Sequence, residues 1–281
     1  MAEFVLSAFS DEAGAALEEQ LSALKRNGIS RMEIRGVNEK SVIDLTDGEA
    51  AQVRAALDRA GVRLSAMGSP IGKYPIDQPF DAHLTSLRRA LELCGILGAR
   101  RMRMFSFFIP KGEQPERWYG EVARRMERML HLAQEAGVTL AHENEKGIYG
   151  DTDERCERLL RDFPELGCVF DPANFVQCGV RPIAAFERLE ARVTYMHIKD
   201  ALFAGGAVVP AGRGEGGVAE ILRRLNARPG EMTLTLEPHL ALFDGLKNLQ
   251  GEPLRHQYTY PNAAAAFDAA AGALKELLAA L

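Results

Sequence analysis

Four hydrophobic runs in the second half of the chain each close on a side chain that can bind a cation or move a proton. Val138-Thr139-Leu140-Ala141-His142-Glu143 closes on Glu143, and Cys168-Val169-Phe170-Asp171 closes on Asp171. Val193-Thr194-Tyr195-Met196-His197 closes on His197, and Met232-Thr233-Leu234-Thr235-Leu236-Glu237 closes on Glu237. If these runs are neighbouring parallel strands, three carboxylates and one imidazole converge at one end of a sheet or barrel. That is a ligand set for a divalent cation; its oxygen-rich character favours Mn²⁺, Mg²⁺ or Co²⁺, with Zn²⁺ as a further candidate. A dication beside a carbonyl and its neighbouring hydroxyl eases removal of the proton between them. Two flanking carboxylates could then take and return that proton. Return at the other carbon isomerises the substrate, return on the opposite face epimerises it, and loss of a β-substituent eliminates. Plainer readings exist for single residues: Asp171 before Pro172 could cap a helix, and His197 could be a hydrogen-bonded core histidine. Glu143 and Glu237 are harder to treat so, because a carboxylate ending an apolar run is costly unless paired, hydrated or bound to metal.

The elements that must position these residues repeat along the whole chain. Phe4-Val5-Leu6-Ser7, Met32-Glu33-Ile34-Arg35, Val62-Arg63-Leu64-Ser65-Ala66 and Arg101-Met102-Arg103-Met104-Phe105 are earlier strand-like runs, so the count reaches eight. Amphipathic stretches follow them and stop at Gly28, Gly61, Gly98 and Gly137, where a left-handed glycine ends a helix before the next strand. Eight βα units in 281 residues suit a single (β/α)8 TIM-barrel domain over residues 1–281. An open doubly wound sheet is disfavoured, since no GxGxxG loop follows the first strand. Residues 199–216 form a Gly-rich connection. Residues 238–262 form a long βα loop before an Ala-rich helix that Asn262 can cap; such loops are commonly lids or substrate walls.

Composition narrows the function classes. The chain is 47% hydrophobic and 26% charged, with a formal net charge of −5. That balance argues against broad binding to a phosphate backbone, so no nucleic-acid partner is expected. No apolar run reaches membrane-spanning length. The four cysteines are scattered without a CxxC pair and read as reduced thiols, which makes the cytoplasm the expected compartment.

Leu140-Ala141-His142-Glu143-Asn144, Asp171-Pro172-Ala173-Asn174, His197-Ile198-Lys199-Asp200 and Leu236-Glu237-Pro238 together resemble the metal-ligand motifs of the xylose isomerase-like TIM barrels. This is the sugar phosphate isomerase/epimerase superfamily, and the resemblance runs from the first strand to the last helix. It implies a divalent metal held by Glu143, Asp171, His197 and Glu237, with Glu143 and Glu237 as the proton-transfer pair. The implied activity is isomerisation or epimerisation of a sugar, sugar phosphate or related keto-polyol. A metal-dependent lyase, dehydrating an inosose or eliminating from a 3-keto glycoside, is the alternative enzyme; a non-catalytic sugar-binding barrel is the alternative outside enzymes. The resemblance also admits a homo-oligomer. Two departures stand out: Glu145 and Asn174 occupy positions where relatives often carry histidine, and the second weakens a ketose 3-epimerase assignment. The DNA-repair relative endonuclease IV needs extra histidines for a zinc cluster, and the six here are seldom at strand ends.

Further rim residues complete the expected site. Glu33 could meet substrate hydroxyls or form a surface ion pair. Ser69 and Lys73, in Ser69-Pro70-Ile71-Gly72-Lys73, could hold a phosphate, carboxylate or sugar oxygen. Asn174 and Lys199 are substrate-facing candidates, and Arg213 in its glycine-rich loop is a donor for an anionic or polyhydroxyl group or simply a solvated arginine. Asn144, Glu145, Asp200 and His239 are expected to support these residues from behind.

Overall fold

The computed structural model describes residues 1–241 and 258–281. Residues 242–257 of the expected loop 238–262 lie outside the described residues. Eight parallel strands close into a barrel: β1 (Ala2–Ala8), β2 (Arg31–Ile34), β3 (Arg63–Gly68), β4 (Arg101–Met104), β5 (Thr139–Glu143), β6 (Gly167–Phe170), β7 (Val193–Ile198) and β8 (Gly230–Leu236). Each pairs with its chain neighbours, and β8 closes on β1 with Ala2 opposite Gly230 and Ala8 opposite Leu236. The helices between them are α1 (Leu17–Arg26), α2 (Asp47–Ala60), α3 (Phe80–Leu97), α4 (Tyr119–Glu135), α5 (Asp153–Asp162), α6 (Pro172–Gln177), α7 (Pro182–Leu189) and α8 (Val218–Asn226), with α9 (Ala263–Ala279) last. This is a (β/α)8 TIM barrel. Two short antiparallel ribbons, Gly36–Val37 with Lys40–Ser41 and Asp200–Ala201 with Val208–Val209, decorate the rim after β2 and β7.

Local chemistry sets the helix ends. Thr46 caps α2 through Glu49 N while Glu49 bonds back to Thr46 N, and Gly61 ends the helix at φ +68°, a conformation other residues resist. Gly98 ends α3 at φ +77°, and a Cβ there would also strike the Arg54 guanidinium that bonds Leu97 O. Asn262 caps α9 by accepting from Ala265 N.

Two cores result. The large one lies between strands and helices and includes Leu24, Met32, Leu57, Leu87, Met102 and Leu140. The small one, Ala66, Ala141, Val169 and Tyr195, fills the barrel interior. Ala141, Val169 and Tyr195 each sit two residues before Glu143, Asp171 and His197. Because side chains alternate along a strand, residues two apart share a face, so three of the strands that pack the interior also present the next layer at the C-terminal rim.

Candidate metal centre

Glu143, Asp171, His197 and Glu237 each offer a ligand atom, and these atoms lie within 4.8 Å of one another. All four side chains are buried. His197 Nδ1 is 3.0 Å from Glu143 Oε1 and 3.4 Å from Glu237 Oε2. Asp171 divides its oxygens: Oδ1 accepts from Asn174 N at 2.9 Å and caps α6, while Oδ2 faces the Lys199 ammonium. The helix-cap and ligand readings of Asp171 are therefore compatible. Asn144 fixes the strand ends, donating to Asp171 O at 2.9 Å and accepting from Asp171 N at 3.0 Å. Asn174 Nδ2 donates to Glu143 Oε1 at 3.2 Å and to Asn144 O at 2.9 Å.

Each glutamate has one oxygen turned toward His197 and the other held by an arginine. Arg103 Nη1 donates to Glu143 Oε2 at 3.0 Å, and Arg35 Nη1 donates to Glu237 Oε1 at 2.9 Å. Lys199 Nζ is 2.9 Å from Asp171 Oδ2 and 3.1 Å from Glu237 Oε2. Aromatic faces support the cations: Arg35 lies 4.3 Å from the Phe9 ring centroid and Arg103 4.7 Å from that of Phe105. Gly68 makes room for Phe9, whose ring a Cβ there would strike.

The donor set fits a dication. Among the described residues, Asp11, Glu12, Glu33, Glu143, Glu145, Asp171 and Glu237 crowd the site with Arg35, Arg103, Lys73 and Lys199 against them, so negative charge is in excess there. Protons fill the deficit. Burial, reinforced by Glu237 and Glu143 against the pull of Lys199, pushes Asp171 up to about 7. Burial also pushes Glu12 up to about 8, although Arg35 opposes it. Burial disfavours charge on His197, but Glu143 and Glu33 overcome it and hold the imidazole well above its ordinary value. Burial likewise opposes charge on Glu143, yet His197 and Arg103 hold it down at about 2. A divalent ion at Asp171 Oδ2 and His197 Nδ1 would take the place of such protons. A second grouping, Glu12, Glu237 and His239, does not need one: the Arg35 guanidinium bonds both Glu12 Oε1 and Glu237 Oε1.

The remaining expected residues land as follows. Glu33 neither meets solvent nor forms a surface pair: Oε1 accepts from Tyr195 OH at 3.0 Å and Oε2 lies 3.2 Å from His197 Nε2. Ser69 is spent on its own loop, donating to Arg103 O at 2.6 Å and accepting from Ile71 N. Lys73 and Glu145 pair with each other at 2.8 Å, joining the loops after β3 and β5. Asp200 accepts from the backbone N–H groups of Ala201, Gly212, Gly214 and Gly216, so it clamps the glycine loop. That clamp leaves Arg213 exposed, apart from the four ligands. His239 donates its backbone N–H to Glu12 Oε2 at 2.7 Å, and burial holds its imidazole down at about 4. Arg35, Arg103, Asp11 and Glu12 were not foreseen. Their signal was present: charged residues alternating with Met and Ile from Arg31 to Arg35 and through β4, and the acid pair Asp11-Glu12 soon after β1.

The sequence profile of the xylose isomerase-like TIM barrel matches residues 21–256. The chain belongs to this family. A curated relative, the rhizopine catabolism protein MocC of Rhizobium meliloti, is 27% identical over 204 residues, which is 66% of this chain and 57% of that protein. The chain thus spans little more than half of that relative's length. Among solved structures, an L-ribulose 3-epimerase superposes with a TM-score of 0.72 at 16% identity, covering 100% of this chain and 95% of its own. An IOLI protein with a bound zinc atom superposes with a TM-score of 0.72 at 14% identity, covering 99% and 98%. At these identities the structural likenesses speak for the fold. Among the described residues, no helix is long and apolar enough to cross a membrane.

Proposed function

We propose that this xylose isomerase-like barrel is a divalent-metal-dependent isomerase or epimerase of a sugar, sugar phosphate or related keto-polyol. The observation that carries the proposal is the convergence of four buried ligand atoms, from four successive strands, at the C-terminal rim. A cation held by Glu143, Asp171, His197 and Glu237 supplies Lewis-acid polarisation of a substrate carbonyl. The chain supplies the rest. Arg103 keeps Glu143 ionised at neutral pH, so its Oε2, with a lone pair beyond the one facing Arg103, serves as the base. Glu237, held by Arg35 and Lys199, is the second carboxylate of the proton-transfer pair. The Lys199 ammonium is placed to meet negative charge growing on a substrate oxygen, and burial of the cluster excludes water that would screen it.

The test is metal analysis of the purified protein followed by incubation with ketoses, ketose phosphates, inososes and 3-keto glycosides in deuterated solvent. Deuterium entering the carbon next to the carbonyl, lost in Glu143→Gln and Glu237→Gln, supports the proposal. Exchange accompanied by loss of a β-substituent would move the assignment to a lyase. A metal-bound protein that binds a panel sugar without exchange would be a sugar-binding barrel.

A further inference from the structure

Glu33 stands on β2 and His197 on β7, so their contact crosses the barrel interior. Both are fully enclosed, and Glu33 commits both oxygens: one to Tyr195 OH at 3.0 Å, the other to His197 Nε2 at 3.2 Å. The His197 ring is fixed from its sides as well. Phe9 meets it edge-on at 5.1 Å and Tyr195 at 5.5 Å between ring centroids. With Nε2 on Glu33, Nδ1 faces Glu143 Oε1 and Glu237 Oε2. Turning the imidazole over would aim carbon atoms at these carboxylates and forfeit hydrogen bonds on both edges.

We propose that Glu33 is a positioning residue for the cation: it keeps the proton of His197 on Nε2 and presents Nδ1 as the ligand, with Tyr195 holding Glu33 in turn. A carboxylate behind a ligating imidazole fixes its tautomer and direction and strengthens it as a donor, and losing such a partner weakens metal binding 10–100-fold. This rests on the metal site proposed above. It replaces the expectation that Glu33 meets substrate: the side chain acts through His197.

The experiment is competition of Mn²⁺ and Zn²⁺ between the full chain and a chromogenic chelator, for wild type, Glu33→Gln, Glu33→Ala and Tyr195→Phe. Expected is a dissociation constant raised about 10–100-fold in Glu33→Ala. Glu33→Gln, which keeps an acceptor of the same length, recovers part of that loss, and Tyr195→Phe shows the smallest change. Nitrogen-15 spectra of the Zn²⁺-loaded wild type should show His197 protonated at Nε2 and ligated through Nδ1. A fold-only role for Glu33 would lower the melting temperature of the metal-free protein without moving that resonance or the chelator competition. If wild type binds metal, the inference is overturned by Glu33 variants that bind within twofold of it, or by His197 ligating through Nε2. If wild type binds neither ion, the metal site itself is overturned. Should Glu33→Ala fail to fold, Glu33→Gln decides by the same criteria.

Discussion

Replacing Lys199 by Met should tighten metal binding, although it removes a residue of the candidate site. Its ammonium lies 2.9 Å from Asp171 Oδ2 and 3.1 Å from Glu237 Oε2, two oxygens a cation would need. A cation bonded to those oxygens would lie on the order of 4 Å from Nζ, where a dication and an ammonium repel by about 8 kcal/mol at an effective dielectric of 20. The flexible stem lets the ammonium withdraw, so only part of this repulsion survives in the loaded protein. An affinity gain of about 10–100-fold, or roughly 1.4–2.8 kcal/mol, is the expected remainder. The metal-free protein should suffer, because removing one partner of a buried ion pair costs about 3–5 kcal/mol. Titration calorimetry with Mn²⁺ gives the affinity, and melts with and without metal give the stability. The metal-induced rise in melting temperature should be larger in Lys199→Met than in wild type. A cooperatively melting Lys199→Met protein that binds Mn²⁺ no better than wild type, or more weakly, would refute the reasoning.

Other substitutions separate roles that the structure joins in single residues. Asp171→Asn should keep the α6 cap, since Asn caps as well as Asp, yet lose most metal affinity; Asp171→Ala should lose both, with about 1 kcal/mol of stability beyond the Asn variant, read from denaturant melts. Gly214→Ala would put a Cβ 2.3 Å from Asp200 Oδ1 and 2.6 Å from Ala201 O, so it should loosen the loop after β7, seen as faster proteolysis between residues 202 and 216. The metal-free protein should lose stability as pH rises from about 6.5 to 8. Asp171 at about 7 and Glu12 at about 8 hold protons in the folded state that the unfolded chain releases near its ordinary carboxyl range, so their cost is absent below that range and complete above about 8. His197, raised in the folded state, adds stability below its ordinary 6.5 that is lost as pH climbs through its raised value. Below about 6.5 His83, His142 and His239, each held down at about 4 by burial, oppose them, because the unfolded chain takes up protons that these folded imidazoles refuse; above 6.5 the acids and His197 act in one direction, and metal affinity should climb as those protons leave. Urea melts in chelator at pH 6.5, 7 and 8 check the slope; stability that is flat or rises across that interval would contradict it.

Much of this molecule was legible in the chain alone. Eight apolar runs separated by glycine-terminated helical stretches specify βα units, because period-2 and period-3.6 patterning and left-handed glycines act locally. The four candidate ligands were legible for the same reason: a charged residue closing an apolar strand marks a rim, and four in succession point to one site. Asp200 and Lys73 were visible as rim residues, but their partners were not. The glycine amides that Asp200 binds come from 12, 14 and 16 residues later. Lys73 meets Glu145 across 72 residues.

Barrel closure decided the rest. Glu33 and His197 stand 164 residues apart, and Arg35 and Glu237 stand 202 apart. No local pattern encodes which of several inward charges meet across a lumen, since strand tilt and register set those distances. The identities of the candidate metal ligands were therefore a property of the sequence. The arginines that grip the glutamates, the carboxylate behind His197 and the exposure of Arg213 emerged only when the first and last strands were brought side by side.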